Sequence, residues 1–356
     1  MPINDPSLDI PPAGAIRFNT DSRKIEVYCG GPVGFGTTTT TGSWFQIDSF
    51  TPNVGIGTTF AAGSSQGSGV RGLFGGGYTP VATNVIEYIN ISSTGNAVRF
   101  GDLSQTRTSP AASASSTRGI FSGGQIQPTF VNQNTIDFIT ISSTGNAASF
   151  GSLSRTTNSS ASCSSSTRGL NAGGSSMNTI DYITIASTGS AQDFGDLTRS
   201  QSRLCALSSS TRGVFGGGTP SAVNVVDFVT ISTLGNAADF GDLLTTRQAL
   251  AGCSNSIRGL FAGGYNPTGQ NVIEYITTAT TGNAIDFGDL TAARSFISGT
   301  SSPVRGVFGG GGGPSPNGNV IDYVTIMSIG NAVDFGDLTF AQANVASACS
   351  NGHGGL

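Results

Sequence analysis

The stretch Gly235–Leu243 reads GNAADFGDL, and the chain writes nearly the same phrase six times. It recurs as GNAVRFGDL from Gly95, GNAASFGSL from Gly145, GSAQDFGDL from Gly189, GNAIDFGDL from Gly282 and GNAVDFGDL from Gly330. Ahead of each copy stands an Arg-Gly pair, at Arg71, Arg118, Arg168, Arg212, Arg258 and Arg305, with intervals of 47, 50, 44, 46 and 47 residues. Such a period marks an array of like supersecondary units that bury their apolar faces against one another. The phrase is then either one chemical group written six times or a joint between units.

Each unit divides into four short strands. Strand a is rich in Ala and Ser, as in ASASS near Ala112, and strand b carries Arg-Gly, a hydrophobic pair and Gly-Gly. Strand c, typified by NTIDFITIS at Asn134–Ser142, is full of β-branched and aromatic residues. Strand d ends in Phe-Gly-Asp-Leu, and Gly-Asn between c and d suits a tight turn. Strand c has apolar groups on both faces, with Ile86 and Tyr88 on one and Val85, Ile89 and Ile91 on the other. A sheet covered on both sides has this pattern. Four-stranded sheets stacked about an axis supply that cover, so the expected fold is all-β: a six-bladed β-propeller with four-stranded blades. After the sixth unit the chain continues with another strand-a pattern, so residues from about Asn344 to Ser350 are expected to pair into the first blade and close the ring.

Ring symmetry bears on chemistry. Asp102, Asp196, Asp242, Asp289 and Asp337, with Ser152 in the second copy, occupy the same place in the phrase. Six equivalent carboxylates around a circle cannot converge on one substrate, whereas a general acid needs an asymmetric partner close by. These residues and the six Arg-Gly arginines are therefore read as structural. Gly-Asp is read as a turn whose carboxylate accepts backbone N–H groups, with the arginine pairing either that Asp or the strand-c acid (Glu87, Asp137, Asp181, Asp227, Glu274, Asp322). His353 is the only His, and no Gly-x-Ser-x-Gly elbow surrounds a Ser. The glycine run at Gly309–Gly313 lacks the Lys-Ser/Thr of a phosphate loop. No catalytic residue, cofactor or metal site is expected, and the chain is expected not to be an enzyme.

Composition agrees. Among 356 residues, Gly contributes 53 and charged residues only 10%, yet 37% are hydrophobic and 21 are Phe, too many for a disordered chain. A net charge of −4 without a basic stripe argues against nucleic acid as partner. No window approaches the roughly 18 apolar residues of a membrane span, and MPINDPSLDI shows no secretory pattern. Cys163, Cys253 and Cys349 hold equivalent places in the repeat, so they are expected to be free, buried small residues.

The order hydrophobic pair, Gly-Gly, loop, acidic-plus-aromatic strand and aromatic strand resembles the kelch repeat over residues 70 to 340, with Phe in every copy where kelch has Trp. Outside it, Gly14, Ile16, Arg17, Phe18, Asn19, Thr20, Asp21, Lys24, Ile25, Glu26, Tyr28, Trp44 and Ile47 form a pattern that resembles a small module of tailed-bacteriophage structural and fibre proteins. Together the two resemble virion structural proteins, including those of cyanophages. The resemblance implies a location in the virion, as a fibre, collar or decoration protein assembled as a homo-oligomer. It implies an extended arm at 1–13, a β attachment module at 14–50 that meets other virion proteins, and a propeller at 51–356.

The connections between strands b and c differ in every copy, while those between a and b and between c and d are nearly uniform. Variation carried on a rigid ring is where recognition resides. Tyr78, Phe130 and Tyr265 lie in these loops and are the candidates for stacking on a host-surface sugar or anchoring a protein receptor, the alternative being a glycan- or receptor-binding module at a fibre tip.

Overall fold

The computed structural model describes residues 16–19, 24–30, 42–46, 70–79, 81–312, 318–341 and 347–356. The chain separates into two compact units, Met1–Ser65 and Gln66–Leu356. In the first, strands Ile16–Asn19, Lys24–Gly30 and Gly42–Gln46 form an antiparallel sheet in which Ile16 pairs with Val27 and Tyr28 with Trp44. The expected arm at 1–13 and the expected boundary at 50 lie outside the described residues.

The second unit is a six-bladed β-propeller, with no helix among the described residues. Blade 2 shows the pattern: strand a is Ala111–Ala114, b is Arg118–Ser122, c is Val131–Thr140 and d is Ala148–Thr157. Every blade is antiparallel in the order a-b-c-d, and successive a strands adjoin in a closed circle. Blade 1 draws strands b (Arg71–Gly75), c (Val85–Asn90) and d (Val98–Asp102) from the start of the unit and takes strand a (Ser347–Ser350) from its end. The closing strand pairs Ser347 with Gly75 and Ser350 with Gly72. Each blade thus buries two faces against two neighbours, which is why strand c is apolar on both sides.

Small residues fill the axis because six strands converge there. A run of hydroxyl bonds links them: Ser164 Oγ donates to Ala114 O at 2.7 Å, Ser208 to Ser164 O at 2.9 Å, Ser254 to Ser208 O at 2.6 Å and Ser301 to Ser254 O at 2.7 Å. Ser350 Oγ donates to Ser301 O. Blade 2 has Ala114 where the others have Ser, so the run stops one bond short of a circle; His353 Nε2 donates at 2.8 Å to Ala114 O, the carbonyl that Ser164 Oγ also reaches. Gly355 N–H donates to the other ring nitrogen at 3.1 Å, so the imidazole is the neutral Nε2–H tautomer, and burial lowers its pKa. Cys163, Cys205, Cys253 and Cys349 are free and buried, and burial pushes the thiols of Cys163, Cys205 and Cys349 up to about 12. Such thiols are inert packing groups.

Candidate functional site

The Phe-Gly-Asp of the repeated phrase lies inside strand d, not in a turn after it. In blade 2, Ile136 pairs with Gly151 and Asp137 with Ser149, so Phe150 is the extra residue of a β-bulge, and all six blades skip the equivalent Phe. A bulge frees backbone groups from their own ladder. The freed Phe carbonyl accepts the N–H of the Gly in the next blade's Gly-Asn-Ala at 2.8–2.9 Å, and the following Asp or Ser152 carbonyl accepts the Ala N–H at 2.7–2.8 Å. In five blades the Asn Oδ1 of the next blade also accepts the Asp N–H at 3.0–3.1 Å, as Asn283 does from Asp242. Where the phrase reads FGSL and its partner reads GSA, only the backbone bonds remain. GNA and FGD are the two halves of a clasp between neighbouring blades. The Asp side chain is not its working part: Asp102 pairs with Arg99, and among the described residues the other four carboxylates make no hydrogen bond.

The strand-c acids are all buried, and they too join blades. Asp137 accepts the N–H and hydroxyl of Ser104, which follows the previous blade's phrase, and the matching acids accept the N–H of Ser154, Thr198, Leu244, Thr291 and Thr339. Four pair with an arginine of the previous blade or its exit: Arg107–Asp137, Arg155–Asp181, Arg247–Glu274 and Arg294–Asp322, at 2.5–2.8 Å. These guanidiniums also donate to the first Gly-Gly carbonyl, as Arg107 does to Gly123 O at 3.0 Å. Burial lowers their pKa while the adjacent carboxylate opposes the shift. Asp227 has only Thr198, and Glu87 only the Thr339 N–H among the described residues. Burial raises the Asp227 pKa and pushes Glu87 up to about 7.

The Arg-Gly arginines pair with neither class of acid. Each lays its guanidinium over the strand-c ring of its own blade at 4.5–5.0 Å, and that ring meets the bulge Phe edge-on at 5.8–6.2 Å. Each then donates to a carbonyl of the next blade at 2.7–3.3 Å, from Arg71 to Ile141 O round to Arg305 to Ile91 O. The ion pairs expected for them are made by Arg107, Arg155, Arg247 and Arg294, which sequence reading did not single out. Three of these stand seven residues after the bulge Phe, but Arg155 stands five after it, and that slip hides the set.

Among the described residues the repeat is broken at the mouth of the central channel, on the face of the b–c and d–a connections. Ser109, Ser159, Arg203, Ala249 and Phe296 are equivalent there and share left-handed backbone, φ 50–57°. Their backbones form an arc: Ser159 N donates to Ser109 O at 3.1 Å, then Arg203 to Ser159 O, Ala249 to Arg203 O and Phe296 to Ala249 O, each at 2.8 Å. Ser109, Ser159, Arg203 and Phe296 of this arc line a depression of about 480 Å³. That lies within the roughly 300–1,000 Å³ typical of small-molecule sites. Tyr78 and Phe130 both line it together with Arg203 and Phe296, while Tyr265 does not and instead pairs its backbone with Gln248. Linked amides form one flank: Gln127 Nε2 donates to Gln125 Oε1 at 3.2 Å, Gln125 to Asn132 Oδ1 at 3.1 Å, and Asn158 to the same Oδ1 at 2.6 Å. The lining offers aromatic faces, amides and one guanidinium. Among the described residues no group of three or more His, Cys, Asp or Glu could hold a metal ion. No protein-family model matches the chain, and no curated protein matches it.

Proposed function

We propose that the chain is a non-catalytic binding component of a phage virion, in which a clasped propeller presents the channel mouth to a glycan or receptor on the host surface. The observation that carries the binding half is the mouth itself, where Tyr78, Phe130, Phe296 and Arg203 break the sixfold repeat around one depression. Aromatic faces with oriented amides are how proteins hold sugars, because C–H faces stack on rings while hydroxyls bond to amides. The virion half is supported by the resemblance of residues 14–47 to the phage structural module, and makes the amino-terminal region the attachment to other virion proteins. The test of binding is a glycan array probed with the full chain and with Tyr78→Ala and Phe130→Ala. Reproducible hits lost in both variants at unchanged melting temperature are expected; hits that survive both would remove the mouth from the reading. Mass spectrometry of purified particles of the encoding phage tests the location.

A further inference from the structure

Resting on that glycan-binding reading, we propose that the mouth selects an acidic sugar, with Arg203 taking its carboxylate or sulfate while the pyranose ring stacks on the neighbouring aromatic wall. Arg203 is the one charged side chain among the described residues of the depression, in a chain whose net charge is −4. A lone cation with no carboxylate among the described lining residues is a specific placement.

The placement is built. Left-handed backbone is uncommon for a side chain as large as Arg or Phe. The same backbone recurs at this step in the five described d–a connections, and among them Arg203 is exposed while Ala249 is buried. Arg203 N is fixed to Ser159 O, its guanidinium lies over the Phe296 ring at 5.3 Å, and its Nη1 donates to Gln248 Oε1 at 3.3 Å. Ala249, between the two in the ring, is small enough to allow that contact. A guanidinium over a ring still has N–H groups free for an anion, and planar carboxylates accept such groups bidentately.

The test is calorimetry on the full chain with four tetrasaccharides: an oligogalacturonate, its carboxyl-reduced form, a sulfated galactan fragment and its desulfated form. At least one acidic member should bind tenfold or more tighter than its neutral counterpart, with affinity falling as salt rises. Arg203→Gln should erase that preference, bringing the acidic member's affinity down to that of its neutral counterpart at an unchanged melting temperature. A preference for the carboxylate or for the sulfate identifies the anion. Equal binding of acidic and neutral forms, or a preference surviving Arg203→Gln, would overturn the acidic-sugar inference and leave glycan binding standing. Absence of binding to all four, together with an empty glycan array, would overturn both.

Discussion

Glu87 is the buried acid left without a guanidinium or a hydroxyl among the described residues. Its carboxyl accepts the Thr339 N–H at 3.1 Å, and burial raises its pKa from an ordinary 4.5 to about 7. The folded state therefore keeps this proton at pH values where the unfolded chain has lost it. Between pH 4.5 and about 7 the native state binds more protons, so this group's contribution to stability falls as pH rises and is fully unfavourable above 7. Glu87→Gln preserves the acceptor and never ionises. We expect it to melt a few degrees above the parent at pH 8.5, a gain of at most about 3 kcal/mol, and to match it at pH 4.5. Scanning calorimetry at the two pH values decides this; a variant that matches the parent at pH 4.5 but melts lower at pH 8.5 would show that the charged carboxylate is the stabilising form. At the paired positions the opposite holds. Removing Arg107 strands Asp137 in the core, and breaking a buried pair in this way typically costs about 3–5 kcal/mol.

The bulge of strand d turns a local irregularity into the joint between blades. Gly241 has φ +144°, and a Cβ on it would lie 2.5 Å from Gly282 O of the next blade, whereas Gly235 has φ +146° with nothing within 4 Å. The two glycines share the backbone strain and differ in the contact. Gly241→Ala should therefore cost several kcal/mol and drop the thermal midpoint by ten degrees or so, while Gly235→Ala should cost about 1–2 kcal/mol. Equal losses in the two melts would reduce the clasp to backbone strain alone. The period, the four-strand unit and the doubly buried strand c were legible because apolar and turn residues recur in step. Gly-Asp was misread as a turn because its local signal is that of a turn; its acceptors are spent on Gly and Ala N–H groups some forty residues away. The mouth was half legible: Tyr78 and Phe130 stood out in variable loops. Arg203 and Phe296 sit in the d–a connection, where only the uneven side-chain size of five equivalent positions could have marked them.

Closing the circle is the step on which the propeller as a whole depends. Five blades are each made from one continuous run, and any of them can form by local hairpins. Blade 1 instead waits for Ser347–Ser350, which must cross about the length of the unit to pair with Arg71–Gly75. Its ordering carries a loop-closure cost that grows only slowly with length, and it gains buried contacts on both sides. Cys349 packs against Gly119 of blade 2, Ser350 bonds to Ser301 of blade 6, and Ser347 bonds to Pro110 O. Without this strand, Arg71–Gly75 would expose a sheet edge, which is a template for aggregation. The segment after it has a lesser part: Gly354 N donates to Ser254 O at 2.9 Å and His353 Nε2 donates to Ala114 O at 2.8 Å. Removing residues 351–356 should keep a monodisperse, cooperative propeller with a melting temperature lowered by a few degrees. Removing residues 347–356 should abolish the cooperative transition and give aggregates on size exclusion. A soluble shortened chain that still melts in one sharp step would mean that five complete blades hold the ring without its closing strand.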